Sequence, residues 1–244
     1  SLSMAAVKKS YRKRFLLPIL LAASPAPAQS VRDGAIESIL APLKACEPDG
    51  QSALDGPDCF PLKVLLLIRS ALKSSARERV DTARRVLEGL WRNDAALGLD
   101  PWKSQLKYDD FQSGIVELLA VEVRQGRSTV PLKALQEFAL NEARRGIGGA
   151  TDPHRLKRGL LLLGVTDAPN QVAFFRRVIE NDTGGARSDA IGALQYRCDS
   201  GTQDLLRELT NWKVLSAIEQ ERVRVVIRLR EFHNDALCQP RRPK

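Results

Sequence analysis

The sequence predicts an all-α fold built from amphipathic helices that pack in antiparallel pairs. Apolar residues recur at helical spacing almost throughout the chain from about residue 31. No convincing run of alternating residues of strand type is present, although the short stretch Val225-Val226-Ile227 is ambiguous by periodicity alone. The second half also repeats its own apolar pattern every 31 or 32 residues. Together these observations predict stacked helix pairs that bury one continuous core.

The composition agrees with a folded, globular chain of 244 residues. Hydrophobic residues make up 43% and charged residues 27%, which is typical of globular proteins and argues against wholesale disorder. Aromatic residues contribute only 5%, so Leu, Val, Ile and Ala must fill the core. The length suits one compact domain or one repeat array.

The first 28 residues have the three parts of a cleavable secretory signal peptide. A basic segment without acids precedes an apolar run at 15–23, and Ala26 and Ala28 fit the small-x-small pattern for cleavage after Ala28. The run is shorter than the roughly 20 apolar residues that span a bilayer. The alternatives are an uncleaved anchor and a mitochondrial presequence. We expect export to the bacterial periplasm, and Ser1 to Ser3, which precede the first methionine, are not counted as part of the signal.

Much of the positive charge of the chain belongs to this segment. Its removal takes away five basic residues and no acid, which lowers the formal net charge from +9 to +4. A charge of +4 favours solubility and gives little support for nucleic-acid binding. We therefore expect no nucleic-acid partner, a membrane role only through the export signal, and a basic disordered tail at 239–244.

The four cysteines are Cys46, Cys59, Cys198 and Cys238, and export would permit disulfides between them. Four cysteines allow three connectivities. Proximity along the chain favours one bridge within the turn-rich segment 46–59 and a second between Cys198 and Cys238. The alternative is that the thiols are free and buried.

The mature chain divides into two parts. Residues 29–105 predict an N-terminal helical cap or degenerate repeats, and residues 106–238 predict helical repeats. In the first part the predicted elements are helices at about 35–43, 62–72 and 80–91 and a connector at 93–108. In the second part the first predicted element is a helix that Asp109 and Asp110 cap. A turn at 125–129 follows, and then a helix that starts at Pro131 and ends at 146–149.

The second half is similar to itself, and each unit consists of a helix, a short turn and another helix. Neither helix pair alone would bury its apolar face, whereas stacked neighbours would bury a continuous core. The matched positions are Leu160 with Ile191, Leu163 with Leu194, Phe175 with Leu206, Val178 with Leu209, Ile191 with Val223, and Leu194 with Val226.

This pattern resembles the HEAT-repeat family of α-solenoids. The stretch 187–194 forms an Ala-rich first helix, Asp199 lies near the turn, and 205–209 forms a Leu-rich second helix. The resemblance covers about residues 110–235, with a period shorter than the usual 40 or so residues and with Tyr196-Arg197-Cys198 where a Gly-containing turn is usual. It implies a right-handed α-solenoid of antiparallel helix pairs, of the HEAT or armadillo kind, with an extended surface for protein binding.

The sequence carries no recognisable catalytic or metal centre. The two histidines, His154 and His233, are far apart, and the cysteines lack C-x-x-C spacing. Ser70-Ala71-Leu72-Lys73 matches S-x-x-K, but no K-T-G follows it. The glycines at 146–149 follow a helix and lack the Lys of a phosphate loop. We therefore expect no enzymatic activity, no cofactor and no bound metal.

Three arginine pairs are the candidate partner-binding residues, because each pair lies on a predicted second helix. Stacking would align them as a cationic surface for an acidic protein or an anionic envelope polymer, since guanidinium groups bind carboxylates and phosphates in bidentate fashion. The alternative is ordinary solvated helix faces that acids such as Glu208 and Glu231 neutralise. The candidates are Arg84, Arg85, Arg144, Arg145, Arg176 and Arg177.

The sequence thus predicts an exported, non-enzymatic helical-repeat protein that binds another protein or acts as a scaffold in the periplasm. A toxin-neutralising immunity or inhibitor protein is an alternative of the same kind. An enzyme of unrecognised type that acts on cell-wall material is a further alternative, and it would require a pocket of clustered acid, serine or histidine side chains. A purely structural envelope component would instead show an extended apolar interface.

Overall fold

The computed structural model describes residues 27–46, 60–147, 152–181, 185–233 and 237–238. Within these ranges the chain consists of helices and turns and contains no strand, which confirms the prediction of an all-α fold. The ambiguous stretch 225–227 lies inside a helix. Residues 1–26 of the predicted signal peptide and the predicted tail at 239–244 lie outside the described residues.

The α-helices in chain order are α1 (Pro27–Lys44), α2 (Leu62–Leu72), α3 (Arg77–Arg92), α4 (Lys103–Leu106), α5 (Asp109–Arg124), α6 (Leu132–Ile147), α7 (Pro153–Val165), α8 (Val172–Asn181), α9 (Gly185–Ala193), α10 (Ser200–Leu209) and α11 (Ala217–His233). Short 3-10 helices occupy 95–97, 100–102 and 194–196. The predicted connector at 93–108 is therefore largely helical, in three short pieces.

Several helices begin at a side-chain cap. Asp152 accepts hydrogen bonds from the backbone N–H groups of His154 and Arg155 and so caps α7, and Asp199 caps α10 through the N–H of Thr202. The prediction that Asp109 and Asp110 cap α5 is wrong. Both residues lie in the first turn of α5, the capping position belongs to Tyr108, and no side chain caps it. The two carboxylates instead pair with Arg155 and Arg158 of α7.

In the second half, alternate helices form a row in which α5 packs against α7, α7 against α9, and α9 against α11. The intervening helices pack against members of this row, with α6 on α5 and α7, α8 on α9, and α10 on α8 and α11. The first three long helices pack against one another, and α2 and α3 both contact α5. One apolar core consequently extends from Ile39 to Val226.

The matched positions of the internal repeat are all buried. Leu160, Leu163, Ile191 and Leu194 are inaccessible to solvent, and the corresponding positions of α8, α10 and α11 are buried as well. The 31- to 32-residue spacing therefore marks buried side chains in every second helix, as the repeat pattern predicts.

Two glycines allow α6 and α7 to approach each other closely. A Cβ atom on Gly146 would lie 2.5 Å from the Cα of Leu156 in α7, and one on Gly159 would overlap the backbone of Ala143 in α6. Real Cβ atoms never approach other atoms so closely, so these positions require glycine. The pair of glycines sets the distance between the two helices.

The predicted disulfide between Cys198 and Cys238 is present, with a Cα–Cα distance of 5.3 Å. It joins the turn before α10 to the segment after α11. Cys46 also takes part in a disulfide, and Cys59, the partner that the sequence favours for it, lies outside the described residues.

Candidate partner-binding surface

The six candidate arginines lie in adjacent pairs on α3, α6 and α8, and each pair divides between two roles. One member, Arg84, Arg145 or Arg176, forms ion pairs within the protein. The other members are exposed and form no ion pair with any residue that the structure describes; they are Arg85, Arg144 and Arg177.

Arg84 joins α3 to α5 through a buried carboxylate. Its Nε lies 3.0 Å from Oε2 of Glu122, whose side chain is almost inaccessible to solvent. The guanidinium group of Arg127 binds the other oxygen of the same carboxylate at 2.6 Å. A buried carboxylate is costly unless cations and hydrogen bonds compensate it. Arg84 is therefore committed to this pairing and is not available to a partner.

Glu142 of α6 provides a second buried carboxylate. Arg145 lies 3.4 Å from one of its oxygens, and Nε of Arg155 lies 3.8 Å from the other. Arg155 also pairs with Asp109, so it links α7 to both α5 and α6. The buried carboxylate of Glu142 therefore partly neutralises the charge of Arg145, although the side chain of Arg145 reaches solvent.

Arg176 of α8 is neutralised by the neighbouring helix α10. Its Nη2 lies 2.6 Å from a carboxylate oxygen of Glu208, and its guanidinium carbon lies 5.9 Å from the ring centroid of Trp212. The sequence-based alternative, local neutralisation by Glu208, is thus confirmed for Arg176.

The three remaining arginines form what we call the exposed arginine set: Arg85 of α3, Arg144 of α6 and Arg177 of α8. Contact between the rings of Trp91 and Phe138, whose centroids are 6.1 Å apart, brings α3 and α6 together. Each unpaired guanidinium group presents a planar set of donors that matches a carboxylate or phosphate. Within the described parts of the chain, these three are the candidate arginines that no carboxylate neutralises.

Sequence reasoning missed a second arginine cluster, which lies inside the protein around the turn before α10. We call it the buried arginine network, and it consists of Arg124, Arg197 and Arg230 with the carboxylates of Asp167 and Asp199. Arg197 is only 1% exposed. The one available signal was the Tyr196-Arg197-Cys198 sequence at a turn where glycine is usual.

Arg197 satisfies backbone carbonyl groups from the preceding helix pair. Its Nη1 donates to the carbonyl of Ala168 at 2.9 Å and to that of Leu163 at 3.3 Å. Its Nη2 lies 2.8 Å from the carboxylate of Asp199. The carbonyl of Leu163 also accepts the N–H of Ala168, so Arg197 adds a second donor there and satisfies the Ala168 carbonyl in the turn after α7.

The other two arginines hold the same turn from opposite sides. Nη1 of Arg124 donates at 2.8 Å to the carbonyls of Val165 and Tyr196, and its Nη2 lies 2.7 Å from the sulfur of Cys198. Arg230 of α11 donates to the carbonyls of Arg197 and Asp199. The network therefore ties α5, α7 and α11 to the disulfide and contributes to the architecture rather than to a binding surface.

The pKa values of Arg124, Arg230 and Asp199 in this network differ from the ordinary values of their side chains. Burial lowers the pKa of both Arg124 and Arg230, and nearby Asp167 and Asp199 partly oppose the shift. Burial alone would raise the pKa of Asp199, but the hydrogen bond from Thr202 and the charge of Arg197 outweigh it, so that the pKa of Asp199 is lowered. Asp199 is consequently ionised throughout the physiological range.

A groove of about 430 Å³ lies between α7, α9 and α11. Its charges are mostly paired, because Lys157 lies 3.8 Å from Asp189 and Arg158 lies 2.5 Å from Asp110. Arg222 lines the same groove and rests against Gly192. The groove thus combines internal ion pairs with one additional guanidinium group, which gives it a weak preference for anions.

The remaining candidates for chemistry are not brought together. His154 lies at the rim of this groove, and the side chain of His233 lies outside the described residues. Ser70 and Lys73 are exposed at the C-terminal end of α2. The described residues include no group of three His, Cys, Asp or Glu side chains that could hold a metal ion.

None of the helices within the described ranges has the length and the apolar composition needed to cross a bilayer. Comparisons of the chain with known protein families, with characterised proteins and with solved structures find no match.

Proposed function

We propose that the chain is an exported, non-enzymatic protein that binds an acidic protein surface in the bacterial periplasm. The observation that carries the proposal is the exposed arginine set. Its three guanidinium groups, on three helices, form no ion pair with the residues that the structure describes, while their immediate neighbours along the chain are committed to such pairs. Guanidinium groups without internal partners are suited to carboxylates of another molecule.

The architecture that we propose for this surface is a right-handed α-solenoid of the HEAT or armadillo kind. Two findings support it: helix pairs that contact mainly their neighbours along the chain, and a 31- to 32-residue spacing of buried positions. Such stacks present extended surfaces, and partners commonly bind across several helices. The exposed arginine set, with one member on each of three helices, fits a partner that binds in this way.

Export is supported by the N-terminal sequence and by the Cys198–Cys238 disulfide, because disulfides persist in oxidising compartments. The test is to express the full chain in a Gram-negative bacterium and determine the N-terminus of the periplasmic product. We expect it to start at Gln29, and a bulky charged residue in Ala28→Arg to block processing. Cytoplasmic retention of the unprocessed chain would contradict export.

The binding proposal is tested by comparing two charge-reversed variants in affinity capture from periplasmic extract. The test variant is Arg85→Glu, Arg144→Glu and Arg177→Glu. The control variant, Lys63→Glu, Lys107→Glu and Lys213→Glu, changes the net charge equally at exposed lysines that have no ion pair among the described residues. We expect the wild-type and control chains to retain the same protein, and the test variant to retain roughly tenfold less or lower still.

If the test variant retains as much of the partner as the wild type and the control do, the exposed arginine set is not the binding surface. Capture that disappears equally in both variants would show a response to net charge alone, which also contradicts the proposal. Circular dichroism of each variant checks that the helical fold is intact, since all six substitutions are at exposed positions.

A further inference from the structure

The Cys198–Cys238 disulfide lies against the buried arginine network, and its two sulfur atoms have unequal surroundings. Nη2 of Arg124 lies 2.7 Å from the sulfur of Cys198 and 3.9 Å from that of Cys238. The side chain of Arg124 is only 4% exposed, so the surrounding protein holds its donors in place. Both cysteines are half-buried, which leaves each of them in contact with solvent. The guanidinium group is thus directed at one sulfur of the bridge.

The buried arginine network holds one more positive charge than its carboxylates balance. Among the residues that the structure describes, three guanidinium groups meet two carboxylates there, in a set that consists of Arg124, Arg197, Arg230, Asp167 and Asp199. In the disulfide form, the acceptor at 2.7 Å from Nη2 of Arg124 is an uncharged sulfur. A buried charge is costly unless an opposite charge compensates it. An anion at Cys198 would supply the missing negative charge.

Two features of the structure favour a thiolate at Cys198. The first is the contact with Arg124, because a neighbouring cation stabilises the thiolate form of cysteine. The second is position, since Cys198 immediately precedes Asp199, the capping residue of α10, and the N-terminal end of a helix favours negative charge. The carboxylates of Asp167 and Asp199 oppose a further negative charge at this place, but the three guanidinium groups outnumber them.

We propose that this disulfide is a polarised thiol–disulfide exchange site, at which an external thiolate attacks the sulfur of Cys238 and Cys198 leaves as a thiolate bound by Arg124. The attacking sulfur forms a bond to Cys238, the S–S bond breaks, and its electron pair stays on Cys198. A second thiol of the reductant then attacks the mixed disulfide and releases Cys238, which takes a proton from solvent. The co-reactant is a thiol, which is oxidised to its own disulfide as the bridge is reduced. Attack is directed to Cys238 because the more stable thiolate is the better leaving group.

Reduction leaves the buried arginine network assembled but releases the end of the chain. The thiolate of Cys198 stays in contact with Arg124, whereas Cys238 and the segment after α11 are no longer joined to the turn before α10. Because Arg124 stabilises the reduced form, the bridge is easier to reduce than one between two ordinary thiols. The exposed arginine set lies on α3, α6 and α8, so this proposal goes beyond the proposed function, and either can fail without the other.

The first test identifies the attacked sulfur in the wild-type chain and needs no substitution. The oxidised full chain reacts briefly with reduced glutathione, excess iodoacetamide then blocks the free thiols, and peptide mass spectrometry locates both labels. We expect glutathione on Cys238 and the iodoacetamide label on Cys198, with a preference of about tenfold or more. Glutathione that is distributed equally, or that favours Cys198, would overturn the proposal. The rate with reduced thioredoxin at equal thiol concentration shows whether a protein dithiol or a small thiol is the preferred reductant.

The second test separates an electrostatic role of Arg124 from a structural one. Arg124→Met removes the cation, so half-reduction of the Cys198–Cys238 bridge should need a glutathione buffer with about tenfold greater reducing capacity, expressed as [GSH]²/[GSSG], than the wild type needs. A merely structural role predicts the reverse, because a loosened fold exposes its disulfide. Arg124→Lys keeps the charge and should restore most of the wild-type behaviour. Arg187→Met is the matched control, because it removes a buried guanidinium group that donates to the carbonyl of Ile179.

Arg187→Met should be reduced as easily as the wild type or more easily, and an Arg124→Met bridge that behaves in the same way would contradict the proposal. The thiols themselves provide a third readout that leaves Arg124 in place. Cys238→Ser leaves the thiol of Cys198, Cys198→Ser leaves that of Cys238, and the pH dependence of alkylation by iodoacetamide gives the titration midpoint of each. We expect the midpoint of Cys198 to lie at least about one pH unit below that of Cys238. Equal midpoints, or a lower midpoint for Cys238, would show that the bridge is not polarised in this way.

Discussion

Arg197 shows how one buried charge fixes the path of the chain at the residue scale. Its guanidinium group donates to two backbone carbonyls and neutralises Asp199, and the guanidinium carbon lies 5.6 Å from the ring centroid of Phe175. The contacts with the two carbonyls and with Phe175 cross from one helix pair to the next, whereas Asp199 lies in the same turn as Arg197. A single side chain therefore holds the turn before α10 close to the C-terminal end of α7.

Arg197→Met tests this role, because methionine fills similar space without donors. We expect the free energy of unfolding to fall by about 3–5 kcal/mol, since the change removes the guanidinium donor of the buried Ala168 carbonyl and the cation that neutralises Asp199. Urea denaturation monitored by circular dichroism measures the change. Arg207→Met removes an exposed ion pair with Asp204 and should have little effect. Equal destabilisation by both substitutions would show that the buried network has no special importance.

The lowered pKa of Asp199 gives the fold a defined response to acid. Because the pKa of this carboxyl is lower in the folded than in the unfolded protein, its stabilisation is present above the unfolded pKa of about 3.9 and is lost as the pH falls through the folded value. Asp199→Asn keeps the helix cap but cannot titrate.

We therefore expect the difference in the free energy of unfolding between pH 5 and pH 3 to be smaller for Asp199→Asn than for the wild type. Denaturation at the two pH values measures it. Asp204→Asn, at an exposed acid of α10, should retain the wild-type difference. An unchanged difference in Asp199→Asn would mean that Asp199 contributes nothing to the acid response.

At the element scale, the contact between α6 and α7 depends on glycine. Gly159→Ala should lower the free energy of unfolding by about 1–3 kcal/mol, because the new methyl group overlaps the backbone of Ala143 and forces the helices apart. Gly34→Ala is the matched control, since a Cβ at this position of α1 meets no atom within 4 Å. It should be neutral or stabilise by up to about 1 kcal/mol. A neutral Gly159→Ala would show that the two helices are not in close contact.

The Cys198–Cys238 disulfide closes a loop of the chain that contains α10 and α11. A bridge across 40 residues stabilises a fold by about 4 kcal/mol on a chain-entropy estimate. The double variant Cys198→Ser and Cys238→Ser should show a loss approaching that value in urea denaturation. This variant is preferable to a reducing agent, since Cys46 is also in a disulfide. A loss near zero would indicate that the buried arginine network alone holds α11.

The sequence predicts the elements better than it predicts their charged contacts. Helical periodicity located α2 and α3 and identified the buried positions of α7 to α11, because burial of one face is what produces that periodicity. It does not show which arginines turn inward, since an arginine at the edge of an apolar face reaches either solvent or a carboxylate on a distant helix. Arg84 reaches Glu122 across 38 residues, and Arg124 reaches the carbonyl of Val165 across 41. The prediction that Asp109 caps α5 fails for the same reason, because Arg155, with which Asp109 pairs, lies far along the chain on α7.

At the scale of the whole molecule, stability is expected to be local. The helices of the second half contact mainly their neighbours along the stack, so the core is continuous but few contacts join its ends. In such an arrangement each helix pair depends on itself and on the pairs beside it. A perturbation at one end should therefore not loosen the other end, in contrast with a compact globular domain.

Two core truncations at opposite ends test this expectation by hydrogen exchange. Leu87→Ala in α3 and Leu209→Ala in α10 each remove a side chain that is inaccessible to solvent, at a cost of about 2–5 kcal/mol. We expect Leu87→Ala to reduce amide protection in α1 to α3 and to leave α9 to α11 close to wild type, and Leu209→Ala to do the reverse. Uniform loss of protection in both variants would show a single cooperative unit. That outcome would contradict the local stability expected of stacked repeats and would count against the proposed solenoid.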